Sequence, residues 1–250
     1  MKLMNSKKAL NKIILDIAEA VSENPNIAKE YLDSHEIELD DLISKGMSQF
    51  AKKAPNESIK LSKSQSYFKR VVLAAEIANQ CHLEPTFGNV KFQKLVYLCE
   101  QVSNMELTTH YSKQAAGPFD NRFMHSIGKE FEKQKWFEVK KIQEDKYSKV
   151  KFTPLENINN YKPYYQRYFE SANEDMQYII ETFKKSYTKN VELVATIFAC
   201  WSELKSLDKP IDNDSLISSV YNWHTAKKKF KPEEIVKTIS WMKANKISPL

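Results

Sequence analysis

FKRVVLAAEIANQCHLEPTFGNVKFQKLVYLCE, residues 68–100, decides the fold class. Phe68, Val71, Val72, Ala75, Ile77 and Ala78 recur at helical spacing, as do Val90, Phe92, Leu95, Val96, Leu98 and Cys99. Recurrence at i, i+3 and i+4 gathers apolar side chains on one helical face. Between the two runs, Pro85-Thr86-Phe87-Gly88 reads as a turn. Downstream, Met124 to Phe131 marks a third helix, and then the period drops to two. Trp136, Glu138 and Lys140 alternate with Phe137, Val139 and Lys141; Asp145-Lys146 sits at a turn; Tyr147, Val150 and Phe152 follow. That is the pattern of a β-hairpin. Helices followed by a two-stranded hairpin predict a winged-helix-like domain over residues 66–160.

Outward from this block the chain stays helical. Ala9, Ile13, Ile14, Ile17, Ala18 and Val21 fall at helical spacing. Lys12, Asp16 and Glu19 interrupt their apolar run, so it reads as an amphipathic helix and not as a signal peptide. Asn24-Pro25-Asn26 breaks that helix, Ala28, Tyr31 and Leu32 belong to the next, and Leu39, Leu42, Ile43 and Met47 to a third. Residues 51–65 are polar and lysine-rich, so residues 1–65 read as an N-terminal helical segment and linker. After residue 160, Met176 to Phe183 is helical and VELVATIFACWSEL, residues 191–204, is a strongly apolar helix. Asp212-Asn213-Asp214 caps the next helix, and Lys231-Pro232-Glu233-Glu234 opens the last with proline and acids where a first turn favours them. Residues 161–250 are expected to form a C-terminal, helix-turn-helix-like domain. The predicted class is a mainly α, multi-segment protein.

Composition narrows the chemistry. Hydrophobic content is 42% and charged content 28%, which is enough for a packed core. The four glycines, Gly46, Gly88, Gly117 and Gly128, are too few and too scattered for a sheet-rich fold or a phosphate-cradling loop. No nucleotide or other cofactor is implied. The net charge of +6 suits an anionic partner, and equally suits solubility alone. Cys81, Cys99 and Cys200 lie far apart without a C-x-x-C pair, so neither a disulfide framework nor a zinc ribbon is expected. No run reaches 18 apolar residues, so no membrane span is expected. A reducing cytoplasm is the expected compartment.

Several residues carry candidate chemistry. Gly117-Pro118-Phe119-Asp120-Asn121-Arg122 is a pre-shaped loop, because glycine admits positive φ and proline fixes the next one. Gly117, Pro118, Phe119, Asp120 and Arg122 are candidate partner-binding residues; the structural alternative is a turn in which Asp120 caps the helix of Phe123 to Phe131. Lys91 and Lys94, one helical turn apart, and Arg70 are candidates for phosphate contact, or else belong to a solvated face. Lys133, Lys135, Lys140, Lys141, Lys146, Lys149 and Lys151 gather around the hairpin with Trp136, Phe137 and Tyr147 between them. They suit nucleic-acid backbone contact, or protection of an edge strand. Lys227, Lys228 and Lys229 form a further basic cluster, nucleic-acid-binding or simply solvated. Tyr161, Tyr164, Tyr165 and Tyr168 suit base stacking or an interface between blocks. His82, His110, His125 and His224 lack metal-ligand spacing, and His35-Glu36 lacks a second histidine, so no metal is expected. Glu132, Glu138 and Lys140 make a nuclease-like acid–lysine string of a kind that arises by chance in a lysine-rich chain.

Two strings carry a family resemblance. Phe87-Gly88-Asn89-Val90-Lys91-Phe92-Gln93-Lys94-Leu95-Val96-Tyr97-Leu98 and Ala115-Ala116-Gly117-Pro118-Phe119-Asp120 resemble a module in C-terminal extensions of type I restriction specificity subunits. They are similar, more remotely, to the Panacea domain of antitoxins and proteolytic adaptors. VATIFACWSEL, Ile211-Asp212-Asn213-Asp214, Asn222-Trp223-His224 and Trp241-Met242 before Ile247-Ser248-Pro249 resemble the same extensions. The resemblance implies a non-catalytic accessory or regulatory module of a bacterial restriction or phage-defence system. The expected partner is a restriction subunit or a toxin, with DNA and a second copy of the chain as further partners and no membrane. The alternatives are an antitoxin that neutralises a toxin by direct binding and a DNA-binding transcriptional regulator.

Overall fold

Helix α1 (Lys63–Cys81) and helix α2 (Asn89–Val102) form where the periodicity places them. The computed structural model describes residues 63–103, 111–144 and 147–249. The helices expected before residue 51, His110, and the Asp145-Lys146 turn with its Lys146 lie outside the described residues. Helix α1 begins at Lys63, inside the stretch that reads as a linker.

Helix α2 is the centre of the molecule. Every residue from Lys91 to Glu100 is buried, because α1, helix α5 (Asn173–Lys184), helix α6 (Thr188–Ser206) and strand β2 (Gly117–Phe119) pack around it. A helix with apolar residues at 90, 92, 95, 96, 98 and 99 has no wide polar stripe to turn to water, so it is covered on all sides. Residues 66–160 and 161–250 therefore share one core: Phe92, Leu95 and Cys99 of the first block bury in the same cluster as Met176, Ile179, Val191 and Ile197 of the second.

Strand β1 (Ser112–Gln114) pairs antiparallel with β2, with Gln114 opposite Gly117. Helix α3 (Asn121–Lys133) follows, and its chain reversal uses a left-handed residue, Lys135 at φ 57°, so that Trp136 N–H reaches the Phe131 carbonyl at 2.9 Å. Strands β3 (Phe137–Glu144) and β4 (Tyr147–Pro154) form the expected hairpin. Phe137, Val139 and Phe152 face inward, where Phe152 meets Phe87 and Phe92 at ring separations of 5.2 and 4.8 Å.

The aromatic segment after the hairpin is a 3-10 turn (Ile158–Tyr161) and helix α4 (Lys162–Phe169). It joins the two blocks. Tyr161 and Tyr165 are buried, and Tyr161 hydroxyl donates to Glu76 Oε2 at 2.6 Å. Tyr164 and Tyr168 pack edge-on against Phe68 of α1. The chain closes with helix α7 (Asn213–Trp223), a 3-10 turn (Thr225–Lys229) and helix α8 (Pro232–Ala244), both helices packed on α6. Asp212 caps α7 by accepting from Ser215 N–H at 2.7 Å, and Glu234 closes the first turn of α8 by accepting from Lys231 N–H at 2.9 Å. The fold is mainly helical with two small two-stranded sheets among the described residues. No helix there is long and apolar enough to cross a membrane. All three cysteines are free and buried.

Candidate functional site

The Gly117–Asp120 stretch is where most of the buried charge converges. Gly117 adopts φ +101°, a conformation that side chains on an L residue rarely take. A Cβ there would stand 2.8 Å from Thr196 Oγ1 and 3.4 Å from Lys94 Cε. Glycine is required twice, for its dihedral and for the close approach of β2 to α6. The next residue, Pro118, has no N–H to leave unsatisfied, and its carbonyl accepts a hydrogen bond from Lys94 Nζ on α2. The two most distinctive strings of the sequence are thereby clipped together in the interior.

A second clip lies one residue further on. Arg70 of α1 donates from Nε to Glu100 Oε1 at 2.6 Å and from Nη1 to Asp120 Oδ2 at 2.7 Å. Tyr111 hydroxyl donates to Glu100 Oε2 at 2.8 Å and accepts from Arg70 Nη2 at 3.3 Å. The guanidinium lies 4.1 Å over the Phe123 ring. The other Asp120 oxygen, Oδ1, accepts from Phe123 N–H at 3.0 Å and so caps α3. Burial disfavours the Arg70 charge, but Glu100, Tyr111 and Asp120 outweigh it and hold the guanidinium above its ordinary value. Burial pushes the Glu100 carboxyl up, against the pull of Arg70 and Tyr111.

The third element surrounds Glu192 on α6. Lys227 Nζ donates to its Oε1 at 2.7 Å and Lys229 Nζ to its Oε2 at 3.0 Å. Burial alone would raise the Glu192 carboxyl, yet these two ammoniums bring it below the ordinary value. Burial pushes the Lys94 ammonium down to about 7; the Lys227 charge adds to the shift and Glu192 opposes it. Burial also lowers Lys227, against the pull of Glu192.

These placements correct the expected roles. Arg70, Lys91, Lys94 and Lys227 are not phosphate contacts, because each is buried and hydrogen-bonded internally. Lys91 Nζ donates to the Lys184 and Ser186 carbonyls at 2.5 and 2.8 Å, neutralising the carboxyl end of α5. Gly117, Pro118 and Asp120 are buried too, so they hold a surface and do not present one. Of that loop Phe119 is half-buried, and Asn121 and Arg122 are exposed. Lys133 and Lys135 are exposed but paired with Glu130 and Glu156. Lys228 and Lys229 remain exposed, the latter on Glu192. Lys140 is exposed and 2.7 Å from Glu138, so the acid–lysine string is a neighbouring pair on one face of β3. His224 Nδ1 accepts from Ala226 N–H and starts the 3-10 turn. Sequence reasoning missed Glu100, Tyr111, Glu192 and Thr196. For Glu100, Glu192 and Thr196 the signal is a polar side chain within a largely apolar helical run, as in VELVATIFACWSEL; Tyr111, outside any helix, carries no such signal.

What the clips leave in solvent is the hairpin's outer strand. Ser112, Lys113, Gln114 and Ala115 are exposed. The strand is pinned from outside as well: Trp223 Nε1 donates to Gln114 carbonyl at 3.0 Å, and Lys113 Nζ sits 2.7 Å from Glu203 and 5.3 Å from the Trp223 ring. The sequence matches no protein-family model and no curated protein.

Proposed function

We infer that the protein is a non-catalytic, cytoplasmic binding module. Its exposed β1 strand forms the surface that engages a partner protein, and the exposed Arg122 and Lys228 add positive charge. The observation that carries this reading is the Lys94–Pro118 clip. It ties together the two strings that resemble restriction-associated extensions and Panacea domains, and it leaves beside them a short strand held rigid from both sides. A pre-ordered strand loses little conformational entropy on association, which favours recognition by surface complementarity. Lys94 of the first string and Asp120 of the second are taken up in internal bonds at that strand, and Lys91 is taken up at the end of α5. The resemblance places the partner among restriction subunits or toxins of a bacterial defence system. In the same reading, α3 with β3–β4 is winged-helix-like and α6–α8 helix-turn-helix-like.

The test is an affinity capture from the native cell using wild-type chain beside Gln114→Glu, Ala115→Arg. Both positions are exposed, so the variant reads recognition, whereas substitutions at Gly117 or Asp120 would read folding. A restriction subunit or toxin captured by wild type and lost with the variant is the expected result. Equal capture by both removes β1 from the interface, and a partner outside those two classes overturns the defence-system reading.

A further inference from the structure

We propose that the β3–β4 hairpin is a second, separate contact surface that takes the sugar–phosphate backbone of a nucleic acid. Lys149 ties the outer half of the hairpin to the Pro85 carbonyl, and apolar residues seat its base. Phe137 and Phe152 are buried there, while Lys140, Lys141, Ile142 and Gln143 of β3 and Lys151 of β4 are exposed. The register places Lys140 directly opposite Lys151, with Ile142 opposite Lys149 one step further out on the same face. Side chains on directly opposed residues lie about 5 Å apart, and like charges there weaken a sheet. Two lysines opposed at that Cβ spacing gain from an anion placed between them. Glu138 satisfies Lys140 alone, and Lys149 Nζ donates to the Pro85 carbonyl at 2.7 Å. Lys141 and Lys151 have no acidic partner among the described residues.

The shape decides the class of anion. A two-stranded ribbon with one lysine-bearing face in solvent matches the width of a nucleic-acid major groove, and its ammoniums then meet phosphates along the rims. The inference does not rest on the β1 surface, and substitutions at β1 leave it untouched.

The experiment is fluorescence anisotropy of the full chain with a labelled random-sequence DNA duplex across a salt series. Three neutralised phosphates give a slope of log K against log salt of about −2.7, or about a 40-fold loss between about 50 and 200 mM salt. Lys140→Gln, Lys141→Gln, Lys151→Gln is expected to flatten the wild-type slope by about that amount. Lys140→Arg, Lys141→Arg, Lys151→Arg is expected to keep it. All three side chains are solvent-facing, and circular dichroism of both variants checks the fold. The proposal is overturned by an unchanged slope in the glutamine variant or by absence of duplex binding in wild type. Binding of poly-glutamate in place of the duplex also overturns it and assigns the ribbon to an acidic protein.

Discussion

Replacing Gly117 with alanine isolates what holds the buried strand. The substitution adds one carbon, and two costs follow from its geometry. A φ of +101° suits an L residue poorly, at about 1–2 kcal/mol. The new Cβ would also stand 2.8 Å from Thr196 Oγ1 on a rigid, fully buried helix face, and overpacking of this kind costs about 1–3 kcal/mol. Gly117→Ala should therefore destabilise by about 2–5 kcal/mol. Thr196→Ala alone removes a hydroxyl that donates to Glu192 carbonyl at 2.7 Å and a buried methyl, at about 1–2 kcal/mol. Together the two substitutions relieve the clash but not the dihedral. The double variant should thus be more stable than the sum of the singles by about 1–3 kcal/mol. Urea unfolding followed by tryptophan fluorescence reads all four species, since Trp223 lies against the same hairpin. Thr196→Ser keeps the oxygen and serves as the control that gives no relief. Additivity within about 0.5 kcal/mol would refute the claim that β2 is seated by contact with Thr196.

Three other outcomes follow from the same network. Lys94 has an ordinary value of 10.5 and a folded value of about 7, so between these limits the unfolded chain holds the extra proton and stability rises with pH. From about pH 7 to pH 9 that amounts to about 2 kcal/mol, and Lys94→Met should flatten the rise in a pH series of urea midpoints. Arg70→Met leaves Glu100 and Asp120 buried without their cation and should cost about 3–5 kcal/mol in denaturant unfolding. Arg70→Lys should recover only part of that, because a single ammonium cannot reproduce the fork. Trp223→Phe removes the Nε1 bond to Gln114 and should cost about 1 kcal/mol, with faster amide hydrogen exchange confined to β1 and β2. Unchanged exchange there would mean that the inner clips alone hold the hairpin.

Much of the fold was readable from local pattern. The helical period marks α1, α2, α3 and α5 to α8, and the change to period two marks β3–β4. Strands β1 and β2 were not readable. Ser-Lys-Gln and Gly-Pro-Phe are three residues each and, Phe119 apart, weak in strand propensity, and they pair because α6 and Lys94 hold β2 in place. The candidate site was half readable. Gly117 and Asp120 stood out by residue type, and the capping role of Asp120 followed from its place before a helix. Burial of Lys91, Lys94, Arg70 and Lys227 could not be seen, because a lysine on a helix is ordinarily solvated. Each lies inside for a reason far away in sequence: the end of α5 for Lys91, the Pro118 carbonyl for Lys94, two carboxylates for Arg70 and Glu192 for Lys227.

The two hairpins make opposite physical choices, and the difference bears on what each can recognise. The β1–β2 hairpin is short and bonded on both sides: Lys94 and Thr196 meet β2, and Trp223 and Glu203 hold β1. Its exposed atoms have little freedom to adapt, so a partner must match them, and specificity comes from fit. The β3–β4 hairpin has strands more than twice as long, and its outward face carries Lys140 and Lys151 exposed to solvent. A ribbon of that kind can meet a charged polymer in several registers, so its contribution should be salt-dependent and weakly specific. A chain with both surfaces would gain affinity from the ribbon and selectivity from the clipped strand. Substitutions on β1 should then change which protein is bound, while substitutions on the ribbon change how binding responds to salt. A β1 variant that alters the salt slope, or a ribbon variant that alters partner identity, would show that the two surfaces act as one.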